Sequence, residues 1–459
     1  MATSPRDIAV EALGDRDGNV SAHLDRLLAE GGLSAPDKAL ARELALGAVR
    51  RRTTLHEVLR AFLERPNHRL PGAVESILHV ALYQMLFLER VPVFAAVNEA
   101  VEQAGRFGHR RKAGLVNGTL RAAAREISPA ENGRPPQAAD VVPVDHRTFR
   151  RLARAVFPAP SADPAGYLAA AMSLPRPLCE RWIKRLGSFD AAARLAVQCN
   201  ARAPLILRVN RLKCDIAAAA AALAAEGVET VPHANGRSLV ATDWASVRDL
   251  KAFREGMIQP QDPTATAVVE AANPERRISV LDFCAAPGTK TTHLAEAMRN
   301  DGRIVAVDVS RERLAKVESN CLRMGATIVK TLLAEQVGGL EPGSFDLALV
   351  DVPCSNTGVL ARRPEARWRF DERDLQSLAA DQRRLLLIAA QFVRAGGRLV
   401  YSTCSIEPEE DQEIARWATR AGGHGPGLKL LREELTLPGG TEDHCQWRDG
   451  GYFAVFRVG

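Results

Sequence analysis

The chain has 459 residues, 46% of them apolar and 25% charged, with a formal net charge of +6. That length allows two or three domains with large cores, and the composition is that of a soluble globular protein. No stretch reaches the ~18 apolar residues of a membrane span. The basic balance is compatible with a polyanionic partner without proving one.

The start, "MATSPRDIAVEALGDRDGN", carries acidic residues where a signal peptide needs an apolar run, so a cytoplasmic protein is expected. From Arg6 to about Glu126 the pattern is helical. Apolar residues recur at helical spacing in "VESILHVALYQMLFLERV" and "FAAVNEAVEQAG", with Pro71 and Pro92 as punctuation. The last part of this all-α region, "GRFGHRRKAGLVNGTLRAAAR", holds Arg106, Arg110, Arg111, Lys112, Arg121 and Arg125 with no acidic residue among them. Such a stretch is either a solvated helix face or a phosphate-contacting patch.

The Pro-, Ala- and Gly-rich run "ISPAENGRPPQAADVVPVD" reads as a linker, over 128–146. Residues 147–258 mix signals. "WIKRLG" and "DIAAAAAALAAEG" are helical, while "LILRVN" and "SLVATD" are strands, which makes a small α/β subdomain. From 259 to 459 strand and helix alternate. The strands are "ISVLDF", "RIVAVDV", "IVKTLL", "FDLALVDV" and "GRLVYST". The helices are "TTHLAEAMRN", "RERLAKVESNCLRMG", "DLQSLAADQRRLLLIAAQFVRAG" and "PEEDQEIARWATRAG". Alternation of this kind predicts a doubly wound, mainly parallel sheet. "GYFAVFRV" adds a strand at the end, expected at the antiparallel edge. The fold class is therefore multidomain α+β: an all-α bundle, a small α/β subdomain and a doubly wound α/β domain.

Within the last domain, "LDFCAAPGTKTTHLAE" runs from a strand through a small-residue loop into a helix, a setting where a ligand can approach backbone at a helix N-terminus. The spacing is neither Walker A nor the dinucleotide G-x-G-x-x-G. Asp308, 20 residues past Gly288, ends the next strand, where a carboxylate can accept from both hydroxyls of a ribose. Together they suit an adenosine cofactor without a pyrophosphate, with S-adenosylmethionine as the candidate; the alternative is a structural βαβ turn and a solvated Asp.

The eight cysteines are Cys179, Cys199, Cys214, Cys284, Cys321, Cys354, Cys404 and Cys445. None forms a C-x-x-C pair, so neither zinc nor any other metal is expected, and a reducing compartment argues against disulfides. Two thiols stand out. Cys354 follows one strand, three residues after Asp351, and Cys404 follows the next. Ligands of doubly wound sheets bind outside the carboxyl ends of the strands, so both thiols belong at one crevice. Carbon 5 of a pyrimidine is a poor nucleophile until a thiolate adds to carbon 6. Charge then spreads to N3, where a nearby acid helps, and a base must later take the proton from carbon 5. Two thiols and a carboxylate beside a methyl donor fit this chemistry. Methylation of a ring nitrogen or exocyclic amine needs no nucleophilic cysteine. A single strand-end cysteine is usually packing, which is the reading for Cys284, Cys321 and Cys445.

These motifs carry a family resemblance. "QDPTA" at Gln261, "LDFCAAPGTKTTHLAE", "VDVS", "DVPCSNTGVLARRPEARW" and "YSTCSIEPEED" resemble the two-cysteine NOL/NOP/Sun class of RNA cytosine-5 methyltransferases. "VPVFAAVNEAVEQA" and "VNGTLR" are similar to a NusB-type helical RNA-binding domain. The combination resembles the bacterial small-subunit (16S) rRNA methyltransferases. It implies a NusB-like domain over 1–127, an N1-type subdomain over 147–258 and a Rossmann-like methyltransferase over 259–459. By that likeness Cys404 is the nucleophile and Cys354 promotes product release. Asp351 holds the N3 and exocyclic amine side of cytosine, and Lys290 lies near the cofactor carboxylate and the base. Cys284, Ala285, Ala286, Pro287, Gly288, Thr289 and Lys290 supply the cofactor loop, and Asp308 takes the ribose. Asp351 is placed at the cofactor as well as at the base.

Two departures from the family pattern stand out. Thr289 replaces the second Gly of C-A-A-P-G-G-K, which puts the loop geometry in question. Glu335 in "KTLLAEQ" is the carboxylate nearest to where the family carries an Asp by the adenine. The expected partner is small-subunit ribosomal RNA, free or partly assembled, with no membrane, and nothing demands more than a monomer. The same chemistry on tRNA and a non-catalytic RNA-binding or antitermination module are the alternatives. Arg362, Arg363, Arg367 and Trp368 in "ARRPEARW" are expected to line the RNA path, with Trp368 stacking on a base; a core Trp with solvated arginines is the other reading.

Overall fold

A computed structural model describes residues 4–14, 19–66, 69–242, 247–420 and 425–459. Asp243, at the end of "SLVATD", and Ala421 and Gly422, at the end of "PEEDQEIARWATRAG", lie outside the described residues. The chain divides into two compact units, one built from 1–201 with 363–370 and the other from 202–362 with 371–459.

The first unit begins with seven helices: α1 (Pro5–Leu13), α2 (Val20–Glu30), α3 (Ala35–Arg50), α4 (Arg52–Phe62), α5 (Gly72–Phe87), α6 (Val93–Arg106) and α7 (Ala113–Glu126). Ser4 and Asp7 close a capping box around α1, with Pro5 in its first turn. α5 is apolar on nearly every side and is accordingly the buried helix, with Val74, Ile77, Leu78, Ala81 and Leu82 inaccessible. α3 lies close against it at Gly47, where a Cβ would stand 2.1 Å from the Tyr83 ring.

The expected linker is folded. β1 (Glu131–Asn132), β2 (Val141–Pro143) and β3 (Thr148–Arg151) form a small antiparallel sheet in the order β1-β3-β2. Short Pro-bearing strands carry too few residues to show alternation, which is why the run reads as a linker. α8 (Pro164–Ala171), α9 (Arg176–Leu186) and α10 (Phe189–Asn200) complete this unit, and the division between the two units falls at 201/202.

The second unit opens with β4 (Leu205–Val209), α11 (Ile216–Ala225), β5 (Thr230–Pro232), β6 (Ser238–Ala241), α12 (Lys251–Arg254) and β7 (Ile258–Pro260). The strands make an antiparallel sheet, β5-β6-β4-β7, over a core of Leu207, Leu223, Leu239 and Ile258. Then follow α13 (Pro263–Ala272), β8 (Ser279–Phe283), α14 (Thr289–Ala297), β9 (Arg303–Asp308), α15 (Arg311–Met324), β10 (Val329–Leu333), β11 (Phe345–Asp351), α16 (Glu372–Phe392), β12 (Val393–Thr403), α17 (Gln412–Ala418), β13 (Lys429–Thr436) and β14 (Gly451–Arg457).

The seven strands from β8 onward form one sheet, β10-β9-β8-β11-β12-β14-β13, parallel from β10 to β12. One core packs Val350, Tyr401, Leu386, Phe392 and Ile414, and a second packs Val268, Leu294, Leu349, Val317 and Phe453. Val350 and Leu349 are neighbours on β11, so the two cores cover opposite faces of the sheet. β14 is antiparallel as expected but is not the edge. β13 lies outside it. β13, "KLLREELT", is mostly exposed, and a strand with water on both sides shows no hydrophobic alternation.

Register aligns the functional strand ends. Phe283 pairs with Val307 and Val350, Asp308 with Leu333, and Asp351 with Ser402. Strand order reverses between β8 and β11, so the loops after these strands flank the switch point where doubly wound sheets bind ligands.

Candidate active site

The loop after β8 is Cys284–Gly288. Cys284 takes a left-handed backbone, φ 66°, and burial, then the Asp351 and Asp308 charges, push its thiol up to about 12. Gly288 has φ 95°, and a Cβ there would meet the Val317 backbone at 3.0 Å. Asn320 braces the loop by donating to the Pro287 carbonyl at 2.8 Å. Thr289 is the first residue of α14, a helical position that any L-residue adopts, which removes the doubt raised by the missing second Gly.

Asp308 is buried at the end of β9. Its Oδ2 accepts from the Ala286 amide at 3.0 Å and its Oδ1 from Val309, while Arg313 bridges both oxygens. On β8, Asp282 accepts from Thr291 at 2.6 Å through Oδ2, while its buried Oδ1 has no hydrogen-bond partner. Burial, followed by the Asp351 charge, raises its carboxyl to about 7. Glu335 is exposed in the turn directly after β10, on the same edge of the sheet.

Across the switch point, Lys290 Nζ donates to Asp351 Oδ2 at 2.7 Å, and Ser402 donates to Asp351 Oδ1 at 2.7 Å. Burial pulls the Lys290 ammonium down, but the Asp351 carboxylate more than offsets it, and the net shift is upward. Lys290 therefore keeps its charge in a half-closed site.

The two thiols meet. Cys354 Sγ and Cys404 Sγ are 3.2 Å apart, and Asn356 Oδ1 lies 3.3 Å from Cys404 Sγ. The Cys404 hydrogen bond and burial raise the Cys354 thiol well above its usual range, so it holds its proton at neutral pH. Cys179, Cys321 and Cys445 are raised as well, by burial first.

Sequence reasoning missed the group that ties the two cysteine loops together. Glu410 is fully buried. Its Oε1 accepts from the Ser355 amide at 2.9 Å and from Gln382 at 3.0 Å, and its Oε2 accepts from the Ser355 and Ser405 hydroxyls. Ser355 and Ser405 are the residues directly after the two cysteines. The carboxylate run "EPEED" is visible in the sequence; Glu407, Glu410 and Asp411 all turn inward, and only the turn they make sets Glu410 against the two serines. Gly358 adds a steric constraint: its amide donates to the Cys404 carbonyl at 3.0 Å, and a Cβ there would stand 2.8 Å from that oxygen.

The expected RNA-contacting residues fall into two groups. Arg110, Arg111 and Arg121 are exposed at the α6–α7 turn and on α7, with Lys112 beside them half-buried. Most of the others have partners within the protein. Arg106 is held by Asp7, Glu99 and Glu102. Arg362 pairs with Asp449 and Asp262 and donates to the Pro204 carbonyl. Arg367 is fully buried in the first unit, donating to the carbonyls of Arg50, Ser173 and Cys199 and to Asn200 Oδ1. Trp368 donates to the Val49 carbonyl at 2.9 Å and carries Arg52 over its ring. Trp368 is the packed tryptophan of the second reading, and Arg367 is no solvated cation. Arg363 is exposed.

The sheet order, the small-residue loop after its first parallel strand and the carboxylate ending the next define a Rossmann-like methyltransferase. Family profiles agree: the 16S rRNA methyltransferase RsmB/F profile matches residues 269–421, the NusB family 3–125, and the RsmF/B-like ferredoxin-like domain 174–241. A probable ribosomal RNA small subunit methyltransferase B of Bacillus subtilis is 32% identical, over 90% of this chain and 87% of its own. The ribosomal RNA small subunit methyltransferase B of Klebsiella pneumoniae is 33% identical, over 92% and 90%. Among solved structures, a methyltransferase homologue from Pyrococcus horikoshii is 27% identical with a TM-score of 0.53, over 66% of this chain and 100% of its own. The chain belongs to the 16S rRNA methyltransferase RsmB/F family.

Proposed function

We propose that this methyltransferase modifies carbon 5 of a cytosine in small-subunit ribosomal RNA through a covalent adduct between Cys404 and carbon 6. The observation that carries the reading is the 3.2 Å approach of the Cys354 and Cys404 sulfurs between the ends of β11 and β12. The substrate class is that of the relatives' names.

S-adenosylmethionine, when bound, supplies the electrophilic methyl group. The residues present fit it: the Cys284–Gly288 loop admits close approach to backbone, and the buried Asp282 Oδ1 lacks the donor a ligand would bring. Asp308 is assigned the ribose, with the half-exposed Arg313 as the partner that yields, and Glu335 the adenine side. Loss of Glu335 is expected to weaken cofactor affinity modestly; titration calorimetry on Glu335→Ala showing no change would remove it from the site.

Cys404 as thiolate adds to carbon 6, and the electron pair moves toward N3 and carbon 5. Asp351 accepts from the exocyclic amine side, and Lys290 supplies positive charge where negative charge builds. Carbon 5 then takes the methyl group. As the C6–S bond breaks, the protonated Cys354 gives its proton to the departing Cys404 sulfur. The proton lost from carbon 5 restores the Cys354 thiol, and the proton now on Cys404 passes to solvent and regenerates the thiolate, so atoms and charge balance. The base must leave its helix to reach the thiols.

The test is a denaturing gel after incubation with S-adenosylmethionine and unmodified small-subunit rRNA, with tRNA in parallel. Cys354→Ala is expected to trap a shifted protein–RNA band with rRNA, and Cys404→Ala to give none. Both variants methylating RNA without an adduct would remove the covalent mechanism. A band with tRNA alone would move the substrate.

A further inference from the structure

The cysteine spacings hold no metal motif, but the first unit brings together a different donor set. Among the described residues, His56, Glu75 and His79 place one ligand atom each within 4.8 Å of one another. His56 stands on α4, and Glu75 and His79 are an i, i+4 pair on one face of α5. His56 Nδ1 is 3.4 Å from Glu75 Oε1, and His79 Nε2 is 4.0 Å from the same oxygen. The two imidazoles are nearly perpendicular, with centroids 6.3 Å apart.

His79 distinguishes this group from an ordinary surface ion pair. Its Nε2 is shut off from solvent and has no hydrogen-bond partner, a costly arrangement for an imidazole nitrogen. Glu75 Oε1 lies just beyond hydrogen-bond reach. A zinc ion bonded at ~2.0–2.1 Å to each donor needs donors about 3.4 Å apart. The observed spacing requires the two imidazoles to draw in slightly and the Glu75 carboxylate to stay in place. The His56 and Glu75 side chains are 44% and 38% exposed, which leaves the fourth position of a tetrahedral site open to water. Arg52, one turn before His56, is the opposing charge.

We propose that His56, Glu75 and His79 form a two-histidine, one-carboxylate site for a late first-row divalent metal such as zinc, clipping α4 to α5. The preference follows from two imidazoles and one carboxylate, a donor set for zinc and its neighbours and not for magnesium or calcium.

The experiment is titration calorimetry of zinc chloride into the chelator-stripped full chain. The Cys354→Ala, Cys404→Ala double variant runs alongside, because the paired thiols are the other place zinc could bind. One ion should bind both proteins equally, and His56→Ala or Glu75→Gln should weaken it at least about tenfold. Both substitutions alter exposed side chains, so they keep the fold even where His79→Ala does not. Zinc should also raise the thermal midpoint of the wild-type chain, and raise that of His56→Ala clearly less at the same zinc concentration. Three outcomes overturn the site: no zinc uptake, uptake untouched by His56→Ala and Glu75→Gln, or uptake lost in the double cysteine variant.

Discussion

Two basic stretches of this chain differ in how their arginines are held. Around α6–α7, Arg110, Arg111 and Arg121 stand exposed. In "ARRPEARW", Arg362 is bound by two carboxylates and a carbonyl, and Arg367 is sealed among three carbonyls and an amide oxygen. A guanidinium presents five donors in a rigid fork, so it can close a protein interior as readily as it binds a phosphate. Which role it takes depends on neighbours far away in sequence. The partners of Arg367 come from residues 50, 173, 199 and 200, and no local pattern announces them.

The largest expected effect lies on the buried side of that comparison. Arg367→Met removes the guanidinium from four acceptors, three of them buried, and should cost about 3–5 kcal/mol of stability, read as the loss of denaturation midpoint in the whole chain. A loss under about 1 kcal/mol would mean that the buried fork is dispensable and the contrast overdrawn. Glu410→Gln comes next. It keeps the shape but removes an acceptor from the Ser355 and Ser405 hydroxyls, and should lower kcat about a hundredfold with little change in KM for RNA. Equal changes in KM and kcat would assign Glu410 to folding and not to positioning the thiols. Gly358→Ala should act in the same direction by pushing against the Cys404 carbonyl, with activity lost before secondary structure. The smallest effect falls on the exposed side. Reversing both Arg110 and Arg111 to Glu should weaken RNA binding and lower the salt slope by about 1.4–1.8, the value for two phosphates. An unchanged slope would show that exposure alone does not make a binding patch.

Much of the catalytic half was legible in the chain. The strands before Cys284, Asp308, Asp351 and Cys404 are buried apolar runs bounded by small or acidic residues, and parallel topology alone brings their ends to one edge. The helical front was legible because α5 is apolar on nearly every side and α4 and α6 are amphipathic. Three kinds of feature were not legible. β13 is exposed on both faces, and β1 to β3 are too short for a period. Glu407, Glu410 and Asp411 are all buried, and only the turn after Cys404 sets Glu410 against Ser355 and Ser405. The His56, Glu75 and His79 group spans two helices, and cysteine spacing is blind to it.

In the proposed mechanism Cys404 attacks and Cys354 releases. The most direct measurement is proteolysis and mass spectrometry of the protein–RNA adduct formed by Cys354→Ala with S-adenosylmethionine and unmodified small-subunit rRNA. A methylated cytosine is expected on the peptide that contains Cys404. A cytosine attached to any other residue, or a methylated product released at the wild-type rate with no adduct, would contradict it.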